Sequence, residues 1–276
     1  MDGITGFTTQ AAEVFCLVDG GTDFGAEVFP GLDDSTRAAR LAAAGEATIR
    51  TAFNAFLIRQ GHDLTLVDTG CGGLFGAAGG QMMARLAALG VAPADIGTLV
   101  FTHLHGDHCG GALQDGTPVF PRARVLLHPA EQAHWQTRDA PAARVIAAYA
   151  DRIAPVTQGQ AVATGITVWE LPGHTPGHIG LRVGAELVIV GDIFHSATLQ
   201  LPDPEVASIY DVDTDRARRS RQAALAEIAA RDLVFTGGHS VAPQVFARLL
   251  ADGTGYRATP CGMVSGASVG AESVKV

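Results

Sequence analysis

The sequence predicts a layered α/β domain. Apolar runs of strand length come in clusters, helix-forming stretches lie between and after those clusters, and no strict strand–helix alternation runs along the chain. The 276 residues, 47% of them hydrophobic, suffice for a substantial core.

Residues 1–45 are mixed, with turn signals at Gly20-Gly21 and Pro30-Gly31 and a short helical stretch at 36–44; they read as an N-terminal arm. Ala52–Ile58 and Leu64–Asp68 are predicted strands joined near Gly61. Gln81–Leu89 is predicted helical, stopped by Gly90. Ile96–Phe101 and Ala123–Leu127 read as strands, and Ala130–Ala150 as helical with a break near Pro141. Ile166–Leu171, Gly180–Val183 and Leu187–Val190 are short strands. Asp213–Ala230 is a helix capped by Asp213 or Thr214, with Leu225 and Ile228 on its buried side. Leu233–Phe235 is the last predicted strand and Ala242–Leu250 the last predicted helix. Residues 259–276, rich in Gly, Ser, Ala and Val, read as a flexible tail, so the catalytic domain is expected over 1–258.

The formal net charge is −9 and Lys275 is the only lysine. No basic cluster is expected to present a phosphate-binding face, which argues against nucleic acid and anionic membrane surfaces as partners. No apolar run approaches the roughly 20 residues needed to span a bilayer. The N-terminus as written carries no secretory leader pattern, so a cytoplasmic location is expected. Cys16, Cys71, Cys109 and Cys261 form no CxxC pair and are expected as reduced thiols.

The chemistry is concentrated in Phe101-Thr-His103-Leu-His105-Gly-Asp107-His108-Cys-Gly-Gly111. Imidazole and carboxylate are ligands suited to zinc and similar divalent ions. Burying four such donors without partners is costly. Further donors follow where apolar strands end: His174 in Pro172-Gly-His174-Thr-Pro-Gly-His178, Asp192 after Val188-Ile-Val-Gly191, and His239 after Val234-Phe-Thr-Gly-Gly. Each alone has an ordinary reading as a turn or surface residue; their joint occurrence at strand ends points to an active site.

The ordered set HLHGDH, GHTPGH, GD and GGH resembles the metallo-β-lactamase superfamily. The resemblance implies an αββα sandwich of two mixed β-sheets flanked by helices, with a two-metal centre. His103, His105 and His174 would hold one ion, Asp107, His108 and His239 the other, and Asp192 would bridge them. Asp68 matches the strand-end aspartate that supports the metal loop. The ions implied are zinc foremost, with manganese, cobalt or iron as alternatives. A hydroxide shared between the metals would attack a carbonyl carbon or phosphorus. Asp107 is the candidate to orient the hydroxide or carry its proton, and His178 and His195 to position a ligand or a substrate oxygen. Cys109 is expected as a small buried residue under the loop. His62, His128 and His134 match no motif and read as surface residues.

His105 stands where di-iron members carry Glu, and Asp192 is a bridging carboxylate that dedicated β-lactamases usually lack. The best local match is the methyl parathion hydrolase and lactonase-like branch. It is carried by Phe120-Pro121, Trp135, Gly191-Asp-Ile-Phe-His195, Leu199-Gln-Leu-Pro-Asp203 and Gly253-Thr-Gly-Tyr256-Arg257. Ile193-Phe194 departs from the Tyr that quorum-quenching lactonases carry shortly after the bridging aspartate. Trp135, Phe194 and Phe53 are the candidate pocket residues, for a small uncharged ester, lactone or phosphotriester; a homodimer is compatible with the sequence. The alternatives are a mononuclear iron enzyme of the persulfide dioxygenase type, a β-lactamase-like amide hydrolase, and a non-catalytic metal-stabilised binding protein.

Overall fold

The computed structural model describes residues 2–138 and 140–261. The first sheet begins with β1 (Ile4–Thr8), β2 (Glu13–Phe24), β3 (Ile49–Gln60), β4 (Asp63–Val67) and β5 (Thr98–Val100). After a small hairpin, β6 (Leu113–Gln114) and β7 (Thr117–Pro118), it is completed by β8 (Arg124–Leu127) and β9 (Ile153–Pro155). The second sheet runs in chain order: β10 (Ala161–Ala163), β11 (Ile166–Glu170), β12 (Ile179–Val183), β13 (Leu187–Ile189), β14 (Val234–Thr236), β15 (Ala247–Asp252) and β16 (Gly255–Pro260). Both sheets are mixed. The β4–β5–β8–β9 ladder and the β13–β14 pair are parallel, and the remaining pairs are antiparallel.

The period-2 alternation of each strand decides the layering. Phe56 and Ile58 of β3, Val67 of β4 and Val100 of β5 face the second sheet, meeting Val168, Ile179, Leu181 and Ile189. Their neighbours Leu57, Leu66 and Leu99 face outward onto Met82, Leu86, Val145, Ile146 and Tyr149. These belong to α2 (Met82–Ala88) and α5 (Pro141–Ala148) or follow them. On the far side Val188, Val190 and Phe235 meet Leu225 and Ile228 of α7 (Thr214–Ala230). Both faces of β13 are therefore covered, which explains why it reads as an uninterrupted apolar run. The result is the expected αββα sandwich. Each fully buried Leu or Ile of these layers contributes about 1.5–3 kcal/mol.

Residues 1–45 depart from the arm reading. Twelve-residue β2 pairs along the length of β3, and β1 extends the sheet outward. The strands of 4–24 are hard to read because Gly20 and Gly21 look like a turn; instead the chain passes so close to Ala78 and Thr51 there that a Cβ would collide with their carbonyl oxygens. Helix α1 (Asp34–Ala44) forms as the sequence predicts, capped by Asp33, which accepts from the Thr36 N–H, and closed by left-handed Gly45. Val28, Phe29 and Ile49 then form a small satellite core with Leu199 and Val206.

Ala242–Leu250 is not a helix. Ala247–Asp252 is β15, in a hairpin with β16 across Gly253 and Thr254. Its buried residues Ala247 and Leu249 alternate with Arg248 and Leu250, a strand period that the helix-forming Ala, Arg and Leu residues obscure. Strand β16 continues to Pro260, so the tail boundary at 259 is too early; residues 262–276 lie outside the described residues. Of the four arginines at 216–221, Arg216 and Arg219 are exposed and the other two are not free. Arg218 pairs with Asp215 and Glu205, and Arg221 is buried. Among the described residues no helix is long and apolar enough to cross a membrane.

Candidate metal centre

The centre is built where strands of both sheets end. Strand β4 is followed directly by Asp68, whose φ of 60° is left-handed for a non-glycine residue. The Asp68 carboxylate accepts the Thr102 N–H (2.8 Å), the Thr102 hydroxyl (2.7 Å) and His108 Nδ1–H (2.8 Å). It thereby pins the loop after β5 that carries His103 and His105. One helical turn, α3 (Gly106–Cys109), then places Asp107 and His108, with Cys109 buried beneath. In the second sheet, His174 leaves β11. Asp192 and His239 leave the neighbouring parallel strands β13 and β14, which share one direction and so deliver both side chains to the same place.

Two donor groups result. His103 Nε2, His105 Nδ1 and His174 Nε2 lie 2.9–3.2 Å apart. His108 Nε2 and His239 Nε2 lie 3.1 and 2.9 Å from Asp192 Oδ2, and 3.4 and 3.7 Å from Asp107 Oδ2. The same Asp192 oxygen stands 3.6 and 3.5 Å from His103 and His174 Nε2, between the groups.

The surrounding partners show why these approaches call for positive charge, from a second ring proton or from a cation. The Thr102 hydroxyl gives its proton to Asp68, so it accepts from His103 Nδ1, leaving His103 Nε2 bare. His174 Nδ1 donates to Asp211 at 3.1 Å, His108 Nδ1 to Asp68 and His239 Nδ1 to Ala52 O at 2.8 Å. Each of these four rings, when neutral, therefore aims a lone pair inward. His108 Nε2 and Asp192 Oδ1 are buried without a hydrogen-bond partner. Donors about 2.05 Å from a common ion at tetrahedral angles would sit about 3.3 Å apart. The observed separations fit a divalent ion in each group.

Without an ion the charges lean towards the same requirement. Burial pushes His103 well below the ordinary histidine value and His105 down to about 3. Burial also opposes charge on His108 and His239, but Asp192 and Asp107 beside them outweigh it and raise both. Asp192 is held well below the carboxylate range: burial works against ionisation, and His108, His239 and His103 overcome it.

A cavity of about 410 Å³ opens onto this centre. Its lining combines Asp107, Asp192, His105, His195 and His239 with Phe24, Phe53, Phe75 and Tyr210. Phe53 thus stands where the sequence places it. Phe194 does not: the loop after β13 turns it behind the second sheet, where it is buried against Phe235. Trp135 is also displaced from the lining. Its ring packs edge-on to His105 at 5.5 Å, and its Nε1–H donates to Glu131. His178 uses both nitrogens structurally, donating to Leu171 O and accepting the Asp192 N–H, so it holds the Asp192 turn and does not face substrate. His195 does reach the cavity. Its ring stacks on His239 at 4.9 Å, and its buried Nδ1 has no partner. His128 is half-buried, not a surface residue; it caps α4 (Pro129–Trp135) by accepting the Ala130 N–H.

Sequence reading missed Thr22, Phe24, Phe75 and Tyr210 in the cavity, and Asp211 behind His174. None lies in a recognisable pattern, and an apolar wall assembled from distant loops leaves no local signal.

Comparison with known proteins places these observations. No curated protein matches the chain. Among solved structures, the hydrolase AbOPH of the beta-lactamase superfamily superposes with a TM-score of 0.87 at 27% identity, covering 95% of this chain and 98% of its own. AidC, a dizinc quorum-quenching lactonase in complex with a product, N-hexanoyl-L-homoserine, gives 0.88 at 22% identity, covering 94% and 98%. An N-acyl homoserine lactone hydrolase with its N-hexanoyl-L-homoserine product at the catalytic metal centre gives 0.64 at 20% identity, covering 86% and 96%. The family model of the metallo-β-lactamase superfamily matches residues 51–239, a stretch that holds all seven donors, and with the two-sheet sandwich around them this chain belongs to that superfamily.

Proposed function

We propose that the chain is a dinuclear metal-dependent hydrolase of small uncharged lactones or esters, with phosphotriesters as further substrates, and that zinc is its preferred metal. The observation that carries this reading is the pair of donor groups meeting at one Asp192 oxygen beneath an apolar cavity. Two divalent cations, when bound, supply Lewis-acid polarisation of the substrate oxygen and make water acidic enough to attack near neutral pH.

The chain's own residues do the rest. His103, His105 and His174 present neutral nitrogens on one side, Asp107, His108 and His239 on the other, and Asp192 faces both. The Asp107 carboxylate borders the cavity and is placed to orient water or accept its proton. His195, kept neutral by burial, offers a ring N–H towards a substrate oxygen. Phe24, Phe53 and Phe75 exclude water and receive the apolar part of the substrate. None of the described lining residues is Lys or Arg, so away from the ions themselves an anionic group of the substrate would find no cationic side chain. The AidC and N-acyl homoserine lactone hydrolase structures, which hold acyl-homoserine products, support a lactone as the first substrate to try.

The test is an activity panel of lactones, aryl esters, phosphotriesters and β-lactams on metal-loaded protein, with metal analysis alongside. Two ions per chain with lactone or ester turnover is the expected result. One iron per chain with no ester turnover would instead favour the persulfide dioxygenase type.

A further inference from the structure

Glu131, on the first turn of α4, is completely buried, and both of its oxygens are saturated. Oε1 accepts the Leu104 N–H at 2.9 Å and Trp135 Nε1–H at 2.6 Å. Oε2 accepts the Thr175 hydroxyl at 2.6 Å and the Gly177 N–H at 3.1 Å. Leu104 is the residue between His103 and His105, and Thr175 directly follows His174. One carboxylate therefore ties together the two loops, from different sheets, that supply the first donor group. Gly177 permits the approach: a Cβ there would lie 2.3 Å from the Glu131 nitrogen. The Trp135 ring, held by the same oxygen, backs His105.

We propose that Glu131 is a positioning residue for the first metal group: it sets the distance between the His103–His105 loop and His174, and so the affinity of that group for its ion. The proposal rests on the dinuclear reading above. A buried carboxylate that only stabilised the fold could bind any four donors; this one bonds to backbone or side chain beside all three histidines of one group. Outer partners of metal ligands of this kind affect metal affinity about 10- to 100-fold.

Asp19 provides an internal comparison. It too is a buried carboxylate with four donors, the Cys71 N–H and thiol and the N–H groups of Gly80 and Met82, and none belongs to a histidine loop. The experiment titrates metal-free parent, E131Q, D19N and T175V with zinc against a chromophoric chelator, and records the thermal midpoint of each metal-free protein. Both E131Q and D19N should lower the midpoint. Of these two, only E131Q should weaken the binding of one zinc, by about 10- to 100-fold, while D19N stays within about twofold of the parent for both. T175V, which removes one of the four bonds, should weaken zinc several-fold, and it reports on the idea even if E131Q does not fold. Unchanged zinc affinity in a folded E131Q, or in T175V should E131Q fail to fold, would overturn the proposal and leave the dinuclear reading intact. A parent that binds no zinc would overturn both.

Discussion

Asp192 Oδ2 stands 2.9 Å from His239 Nε2, although the other nitrogen of that ring donates its proton to Ala52 O. A neutral His239 would set lone pair against carboxylate. The contact is satisfied only by a second proton on the ring or by a cation between the two groups. Replacing Asp192 with Ala removes the one oxygen that faces both donor groups. Metal analysis of D192A should find at most one ion per chain, and turnover should fall by at least ~100-fold. Two retained ions, or parental turnover, would contradict the shared role.

The same competition makes metal binding depend on pH. His108 and His239 have values raised above 6.5 in the metal-free chain: burial resists, but Asp192 outweighs it. The stability these protons add to the metal-free protein is full below 6.5 and is lost as pH rises through the raised values. Metal binding runs the opposite way, because each ion displaces protons. Zinc affinity measured by competition should therefore fall on acidification, by up to about tenfold per pH unit for each proton displaced. A flat profile from pH 8 to pH 6 would show that these two rings do not ligate.

Phe75 lines the cavity from a loop and is itself 43% exposed, so it can be truncated with little effect on the core. Phe75→Ala should raise KM for apolar substrates several-fold, with kcat and metal content near parental values. Steady-state kinetics across acyl chain lengths would check this, the longest chains showing the largest change. An equal loss at every length would place Phe75 outside the substrate's path.

Arg221 is the largest fully buried side chain, and it anchors the segment after Asp192. Its guanidinium donates to Ile193 O at 2.8 Å and to Pro204 O at 2.9 Å, and lies 3.9 Å from Asp211, the partner of His174. Arg221→Ala should destabilise the fold by about 3–5 kcal/mol in urea titration, because it leaves Asp211 buried without that charge. A loss below about 1 kcal/mol would mean that the segment holds its position without the arginine.

How much of this was legible in the sequence depended on periodicity. Strands β3, β4, β12 and β13 and helix α7 carry clean patterns and can be read directly. So can the donors, because each ends an apolar run, where a polar residue is conspicuous. Strand β2 was hidden by Gly20 and Gly21, whose role is close packing and not a turn. Strand β15 was hidden by the helix formers Ala247-Arg-Leu-Leu250, whose propensity the pairing with β14 and β16 overrides. The assignments of Phe194 and Trp135 to the pocket failed for a related reason. Aromatic character marks burial, but the side to which a ring turns is decided by the path of the loop that carries it and by hydrogen-bond partners such as Glu131, four residues before Trp135.

Thr22 and Phe24 border the cavity from β2, outside the 51–239 stretch that the chain shares with its superfamily. Part of the cavity wall is thus written on a length of polypeptide that carries none of the seven donors, while Phe53, Phe75 and Tyr210 of that wall lie within the shared stretch. Changes in the opening two dozen residues can reshape what enters without disturbing a single ligand, which gives such a scaffold room to diversify its diet while its chemistry stays fixed.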